Sequence, residues 1–212
     1  MKKDTKTRLL DAAERLYAAN GISATSVRQI TDTAKANVAA VSFHFGGKSG
    51  LTRAVFLRRL APLTAERLAR LSALQQGGQP SLAHLLDAFI DPLVELARQG
   101  PGPQRFLQLF GRTLTDPTPE IGEIFATDLR DYSLAFFGAL HNCLPHLSAA
   151  EASVRLTFVI GALGHALSDP VRRNLSRDIL AEDTPIPDDA IVAQLKTFAT
   201  AGLSAPTLGD IK

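Results

Sequence analysis

The sequence predicts an all-α protein, with an N-terminal three-helix helix-turn-helix domain (1–47) followed by a larger helical domain (48–212). Three observations lead there. Strong apolar patterns recur at the 3.6-residue helical spacing, and no segment alternates with the two-residue period of a half-buried strand. Residues 26–48 read as two short helices joined by a tight turn, the second small and nearly free of charge along one side. The last third of the chain carries a helix that is apolar on more than one face.

The elements follow in order. Leu9, Ala13, Leu16 and Tyr17 form the stripe of a first helix over 4–20, and Gly21 stops it. Ser26 with Gln29 three residues later is a capping box that opens a second helix, ending near 34. Asn37, a favoured N-cap, opens a third that ends near 43. The Gly46-Gly47 turn leads into a fourth helix over 48–74, which Pro62 should kink or interrupt. Gln75-Gln-Gly-Gly-Gln-Pro80 is a loop, and Ser81 caps a fifth helix with an internal Pro92. Gly100-Pro-Gly-Pro103 breaks the chain before a sixth helix over 104–114, and Asp116-Pro-Thr-Pro119 breaks it again. A seventh helix is expected over 120–144, with Ile121, Phe125, Leu129, Tyr132 and Phe136 on one face. Pro145 ends it, Ser148 caps an eighth, Pro170 kinks the chain beyond, and a last helix spans 188–203.

The eighth helix has one stripe through Val154, Phe158, Gly161 and His165, and another through Leu156, Ile160, Leu163 and Leu167. One face can meet the protein's own core. The other needs a partner, unless this is the central helix of a monomer. Ile191, Leu195, Phe198 and Gly202 give the last helix a similar stripe. The natural inference is a two-fold homodimer built on Leu156, Ile160, Leu163, Leu167, Ile191, Leu195 and Phe198.

The net charge of +2 hides an asymmetry. Residues 1–60 hold eleven Lys/Arg against four acids, a net +7, and the remainder holds twelve against seventeen, a net −5. A basic head on an acidic body points to a polyanion at the head. In a helix-turn-helix the second helix enters the DNA major groove. Here Val38, Ala39 and Ala40 are small enough for close approach, and their methyls suit thymine methyls. Asn37 can bond a base or phosphate, and Arg28 a phosphate or guanine. The Thr25 and Ser26 hydroxyls, at a helix start, suit a phosphate. Lys48 and His44 flank the far side, and His44 equally suits packing between Phe43 and Phe45.

Leu9-Leu-Asp-Ala-Ala-Glu-Arg-Leu-Tyr17, Gly21, Thr25-Ser-Val-Arg-Gln-Ile30, Ala34 and His44-Phe-Gly-Gly-Lys-Ser-Gly-Leu51 together resemble the DNA-binding domain of the TetR family of bacterial transcriptional regulators. The resemblance covers about residues 5–56. It implies a homodimer that binds double-stranded operator DNA, usually a palindrome, and a C-terminal domain that binds a small effector and dimerises. Most members are repressors released by that effector. Two positions depart from the family pattern. Lys35 stands where a turn glycine is usual, so either its backbone carries a small positive-φ strain or the turn differs slightly, and its charge can reach a phosphate. Ser42 and Phe43 stand where a tyrosine hydroxyl is usual, leaving only the Ser42 hydroxyl.

Ala40-Val-Ser-Phe-His-Phe-Gly46, Ala54-Val-Phe56, Leu60-Ala-Pro62, Phe106-Leu-Gln-Leu-Phe-Gly111 and Phe158-Val-Ile-Gly-Ala162 are similar to a subgroup that includes regulators of fatty-acid metabolism, which implies a fatty acid or acyl-CoA effector. An apolar pocket would draw on Phe106, Phe110, Phe125, Tyr132, Phe136 and Phe158, with His165 and His141 as polar groups. Arg105 and Arg112 share a helix face that suits a carboxylate or phosphate. The same residues equally suit plain core and solvated surface.

Other classes fit poorly. Gly47-Lys48-Ser49 lacks the earlier glycine of a phosphate loop, since Ser42 stands there. Asp87, Asp91 and Glu95 form an acidic helix stripe, expected to be a solvated face and not a metal site. No catalytic triad motif, cofactor motif or metal-ligand spacing is present, so an enzyme is not expected. Lone Cys143, a start without an apolar leader and no run of about 20 apolar residues predict a cytoplasmic protein with no membrane span. The rival within the DNA-binding class is a constitutive binder that has no effector.

Overall fold

The computed structural model describes residues 3–115, 118–168, 187–207 and 209. Among them are ten α-helices and no strand: α1 (Thr5–Asn20), α2 (Val27–Ala34), α3 (Ala39–Phe45), α4 (Lys48–Gln76), α5 (Leu82–Arg98), α6 (Pro101–Thr115), α7 (Pro119–Ala126), α8 (Arg130–Cys143), α9 (Ala149–Ser168) and α10 (Asp188–Ser204). No described helix is long and apolar enough to cross a membrane. The expected kink at Pro170 lies outside the described residues.

Local chemistry sets most ends as expected. Asp4 accepts from the Thr7 N–H and starts α1, and the Gly21 N–H returns to the Tyr17 carbonyl. Ser81 Oγ accepts from the His84 N–H at the head of α5. Ser148 and Glu151 form a reciprocal capping box at the head of α9. Three expectations are corrected. α4 is not interrupted at Pro62, and the Thr64 hydroxyl donates to the Leu60 carbonyl. The break before α6 is confined to Gly100 (φ 113°), and Pro101 opens the helix, because a first-turn proline sacrifices no helical hydrogen bond. The long seventh helix is two helices: Thr127 closes α7 with its N–H and hydroxyl both on the Glu123 carbonyl, and the Leu129 N–H bonds to Ile124. The 3.6-residue pattern persists across this corner because Ile121, Leu129, Tyr132 and Phe136 are all buried.

The chain groups into two compact units. The first comprises residues 1–64 and 97–130, hence α1–α3, the first part of α4, α6 and α7. Its core contains Leu9, Tyr17, Ile30, Val41, Phe56 and Phe106. α1 packs against α2, α3 and α6. The Tyr17 hydroxyl meets the Thr52 hydroxyl at 3.0 Å, joining α1 to α4, and burial pushes that phenol's pKa up.

The second unit comprises residues 65–96 and 131–212. Leu85, Leu86, Ile90, Leu140, Val159 and Leu203 form part of its core. α9 packs on α10, and the Arg155 guanidinium donates to the Gly202, Leu203, Ala205 and Pro206 carbonyls at the end of α10. These are the carbonyls that a helix C-terminus leaves without partners.

Candidate nucleic-acid interface

The site lies in the first unit and rests on α1. The capping box of α2 is complete: the Gln29 N–H donates to Ser26 Oγ (3.2 Å) and the Ser26 N–H to Gln29 Oε1 (2.7 Å). α2 ends at Lys35, whose φ of 51° is the one positive value at a non-glycine among the described residues. The strain expected at this turn is therefore present, at about 1–2 kcal/mol for an L-residue. Arg8 of α1 donates to the Lys35 carbonyl at 3.2 Å and holds the turn from below. Asn37 Oδ1 accepts the Ala39 N–H at 2.9 Å and caps α3, leaving the Asn37 NH2 for an outside acceptor.

α3 has an inner and an outer face. Val41 is buried, while Val38, Ala39 and Ser42 are exposed and Ala40 is half-buried. Phe43 is 84% exposed, an unusual cost for a phenyl ring unless something covers it. His44 is half-buried and meets Phe43 edge-on at 4.9 Å and Phe45 at 6.1 Å, so ring packing is one of its roles. The corner between α3 and α4 has little room. A Cβ at Gly50 would fall 1.8 Å from the Phe45 carbonyl oxygen, so only glycine permits this approach.

Charge is sorted across the unit. Glu14 is buried on α1 and accepts from Arg58 Nη2 (2.7 Å) and Arg59 Nε (3.2 Å) of α4. Asp11 accepts from Arg58 (2.7 Å) and Lys3 (2.6 Å). Burial pushes the Asp11 carboxyl up, but these two donors outweigh it and hold the group below its usual range. Arg53 pairs with Asp128 through two hydrogen bonds. Two of the four acids of the head, Asp11 and Glu14, thus engage arginines of α4. Arg28 and Lys35 stay exposed and form no ion pair among the described residues, and Lys48 is half-buried at the first residue of α4.

The remaining expected site residues sort as follows. Thr25 is corrected: its hydroxyl is buried and donates to the Gly21 carbonyl at 2.8 Å, which makes it a brace for the α1–α2 corner and not a phosphate ligand. The aromatics expected to share one pocket fall into different units. Phe106, Phe110 and Phe125 form a ladder in the first, with centroids 6.1 and 6.4 Å apart, and Tyr132 and Phe136 join Phe89 in the second. Phe158 is 66% exposed and His165 is exposed, so neither lines a buried pocket in a single chain. The dimer stripe is corrected at Leu163 and Leu195 alone, while Phe198 is exposed as that reading requires. Leu163 and Leu195 are buried in their own unit, and Leu156, Ile160, Leu167 and Ile191 are half-buried. The outward face carries Val154 and Phe158 of α9 with Phe198 of α10. Periodicity reveals that a helix has two apolar faces, but not which one turns inward. Arg112 donates to the Ala19 carbonyl, His141 meets the Leu147 carbonyl, and Arg105 is exposed. The acidic stripe is engaged in ion pairs, Asp87 and Asp91 with Lys196 and Glu95 with Arg70.

Arg67 is the residue sequence reasoning missed. It is buried on α4 between Leu63 and Leu71, with its guanidinium 4.1 Å from the centre of the Phe89 ring. The readable signal was a cation at i+4 within an apolar stripe.

Comparison with known proteins finds matches in both halves of the chain. Residues 9–55 match the model for bacterial regulatory proteins of the tetR family, and residues 87–202 match that for the tetracyclin repressor-like C-terminal domain. The chain is 45% identical over 51 residues to the "Probable HTH-type transcriptional regulator YttP" of Bacillus subtilis (strain 168), a match covering 24% of this chain and 25% of that one. The chain thus spans about a quarter of that relative's length. Its fold is similar to the fatty acid degradation regulator FadR from Bacillus halodurans (TM-score 0.60, 13% identity, 97% of each chain). It is also similar to a transcriptional regulator from Rhodococcus sp. Rha1 (TM-score 0.56, 21% identity, 96% of this chain and 100% of that one).

Proposed function

The chain belongs to the TetR family of DNA-binding bacterial transcriptional regulators, and from that membership we propose that it is a repressor, a homodimer that binds a palindromic operator and is released by a small, largely apolar effector. The observation that carries the DNA contact is the outer face of α3. Val38, Ala39, Ser42 and Phe43 are exposed and uncharged, while Arg28 and Lys35 are exposed and Lys48 half-buried on the elements that precede and follow α3. An uncharged, close-fitting face between cations suits a groove floor between two phosphate rails. The bare Phe43 ring takes the place of a hydroxyl contact and suits a sugar or a thymine methyl.

The homodimer reading rests on Val154, Phe158 and Phe198, which present an apolar surface beside the exposed glycines Gly161 and Gly202. Two copies joined there would set the spacing of two α3 helices, which a palindrome mirrors. The effector reading rests on the family and on the apolar interior of the second unit.

The test is fluorescence anisotropy on labelled DNA from the promoter flanking the gene, with mass photometry alongside. Arg28→Ala and Lys48→Ala should weaken binding about tenfold each at physiological salt, reduce the salt slope, and leave the dimer intact. Unchanged affinity would refute this docking. Phe158→Asp should yield monomers with weakened operator binding. A constitutive binder would hold its operator equally well across fatty acids, acyl-CoAs and aromatic compounds.

A further inference from the structure

Arg67 and Tyr132 stand out in the second unit. Arg67 is 8% exposed and Tyr132 9% exposed, and neither Arg67 Nε nor the Tyr132 hydroxyl has a hydrogen-bond partner. The acids that could neutralise the guanidinium are engaged elsewhere. Glu66 and Glu95 pair with Arg70, and Asp87 and Asp91 pair with Lys196. What Arg67 has instead is aromatic: Phe89 at 4.1 Å and Tyr132 at 6.0 Å from the guanidinium carbon to the ring centres. Phe136 extends the surface, stacked on Phe89 at 4.6 Å and on Tyr132 at 6.0 Å.

A cation over a ring gains less than the desolvation of an ion costs. Burial accordingly pushes the Arg67 pKa down against the opposing pull of Tyr132, and it pushes the Tyr132 phenol up. An arginine does not escape by losing its proton. The arrangement is therefore a buried positive charge beside a buried phenol that lies close enough to interact with it, with neither Arg67 Nε nor the Tyr132 hydroxyl in a well-formed hydrogen bond, walled by rings. The chemical complement of such a group is an anion.

Resting on the effector-sensing reading above, we propose that the effector is an apolar carboxylic acid whose free carboxylate is bound by Arg67 and Tyr132. The carboxylate accepts from Arg67 Nε–H and from the Tyr132 hydroxyl, while the apolar body lies against Phe89 and Phe136. A free acid satisfies both donors and the charge. An ester, an alcohol or a coenzyme A thioester offers a neutral carbonyl or hydroxyl to the same groups and leaves the charge uncompensated.

The experiment uses the full chain, with operator release and thermal shift as readouts. The probes are decanoate, palmitate and phenylacetate, their methyl esters, and decanoyl- and palmitoyl-CoA. At least one carboxylate should raise Tm and release the operator, its ester and thioester binding more than tenfold more weakly. Arg67→Met should weaken that carboxylate by about ten- to a hundredfold, and Tyr132→Phe several-fold. Without ligand, Arg67→Met should melt at or above the wild-type temperature, because it removes an uncompensated buried charge. A clear fall in that temperature would make Arg67 a structural residue and overturn the assignment. Release by esters or thioesters with Arg67→Met unaffected would overturn it while leaving the sensor reading in place. If no acid, ester or thioester moves operator affinity, both fail together.

Discussion

Glu14→Gln should unseat the DNA-binding helices from α4. Glu14 is buried and receives three hydrogen bonds from two arginines: Arg58 Nη2 at 2.7 Å, Arg59 Nε at 3.2 Å and Arg59 Nη2 at 3.3 Å. The guanidinium side chains are 22% and 24% exposed, so solvent screens them little. Glutamine keeps the shape and one acceptor but removes the charge that both arginines face. Breaking one partner of a buried pair costs about 3–5 kcal/mol. Asp11 still holds Arg58, which places the expected loss near the lower end, about 3 kcal/mol. For a chain of this size that is a fall in Tm of roughly 6–12 °C. Urea unfolding at fixed protein concentration, read by circular dichroism, gives the number directly. Operator affinity should fall as well, since α1 carries α2 and α3. Arg59→Gln on the Glu14→Gln background should cost less than it does alone. A loss below about 0.5 kcal/mol, the scale of an ordinary surface change, would refute a load carried through Glu14.

Two other outcomes follow from the first unit. Lys35→Gly should stabilise the protein by about 1 kcal/mol, because glycine adopts φ near 51° without the Cβ clash; the same variant should bind operator more weakly if the Lys35 charge meets a phosphate, and a fall in Tm would disprove the strain. Stability should decline in acid, since Asp11 and Asp128 have folded pKa values below their unfolded ones: their contribution is complete above about pH 4–5 and disappears as pH falls through the folded values. For Asp128 the main cause is the hydrogen bonding from Arg53, so Arg53→Gln should flatten part of the acid limb of a Tm-against-pH profile, and an unchanged limb would remove that pair from the account.

The sequence by itself determined the features that depend on near neighbours in the chain. Ser26 and Gln29 form a capping box because both partners sit within one turn, and Lys35 strains the turn because α2 must stop there before Asn37 caps α3. What only the tertiary structure decided depends on residues far apart. Thr25 is withdrawn from solvent by Gly21 and the α1–α2 corner, and Glu14 is neutralised by arginines more than forty positions away. The two stripes of α9 looked alike in hydrophobicity, so packing alone chose Leu163 for the inside and Phe158 for the outside. The same holds for Arg67. A cation between Leu63 and Leu71 reads locally as a break in a stripe, and only the fold places Phe89 and Tyr132 around it and directs the surrounding acids to Arg70 and Lys196. Periodicity records how much apolar surface a helix owns; burial and charge compensation are settled by what the rest of the chain brings to it.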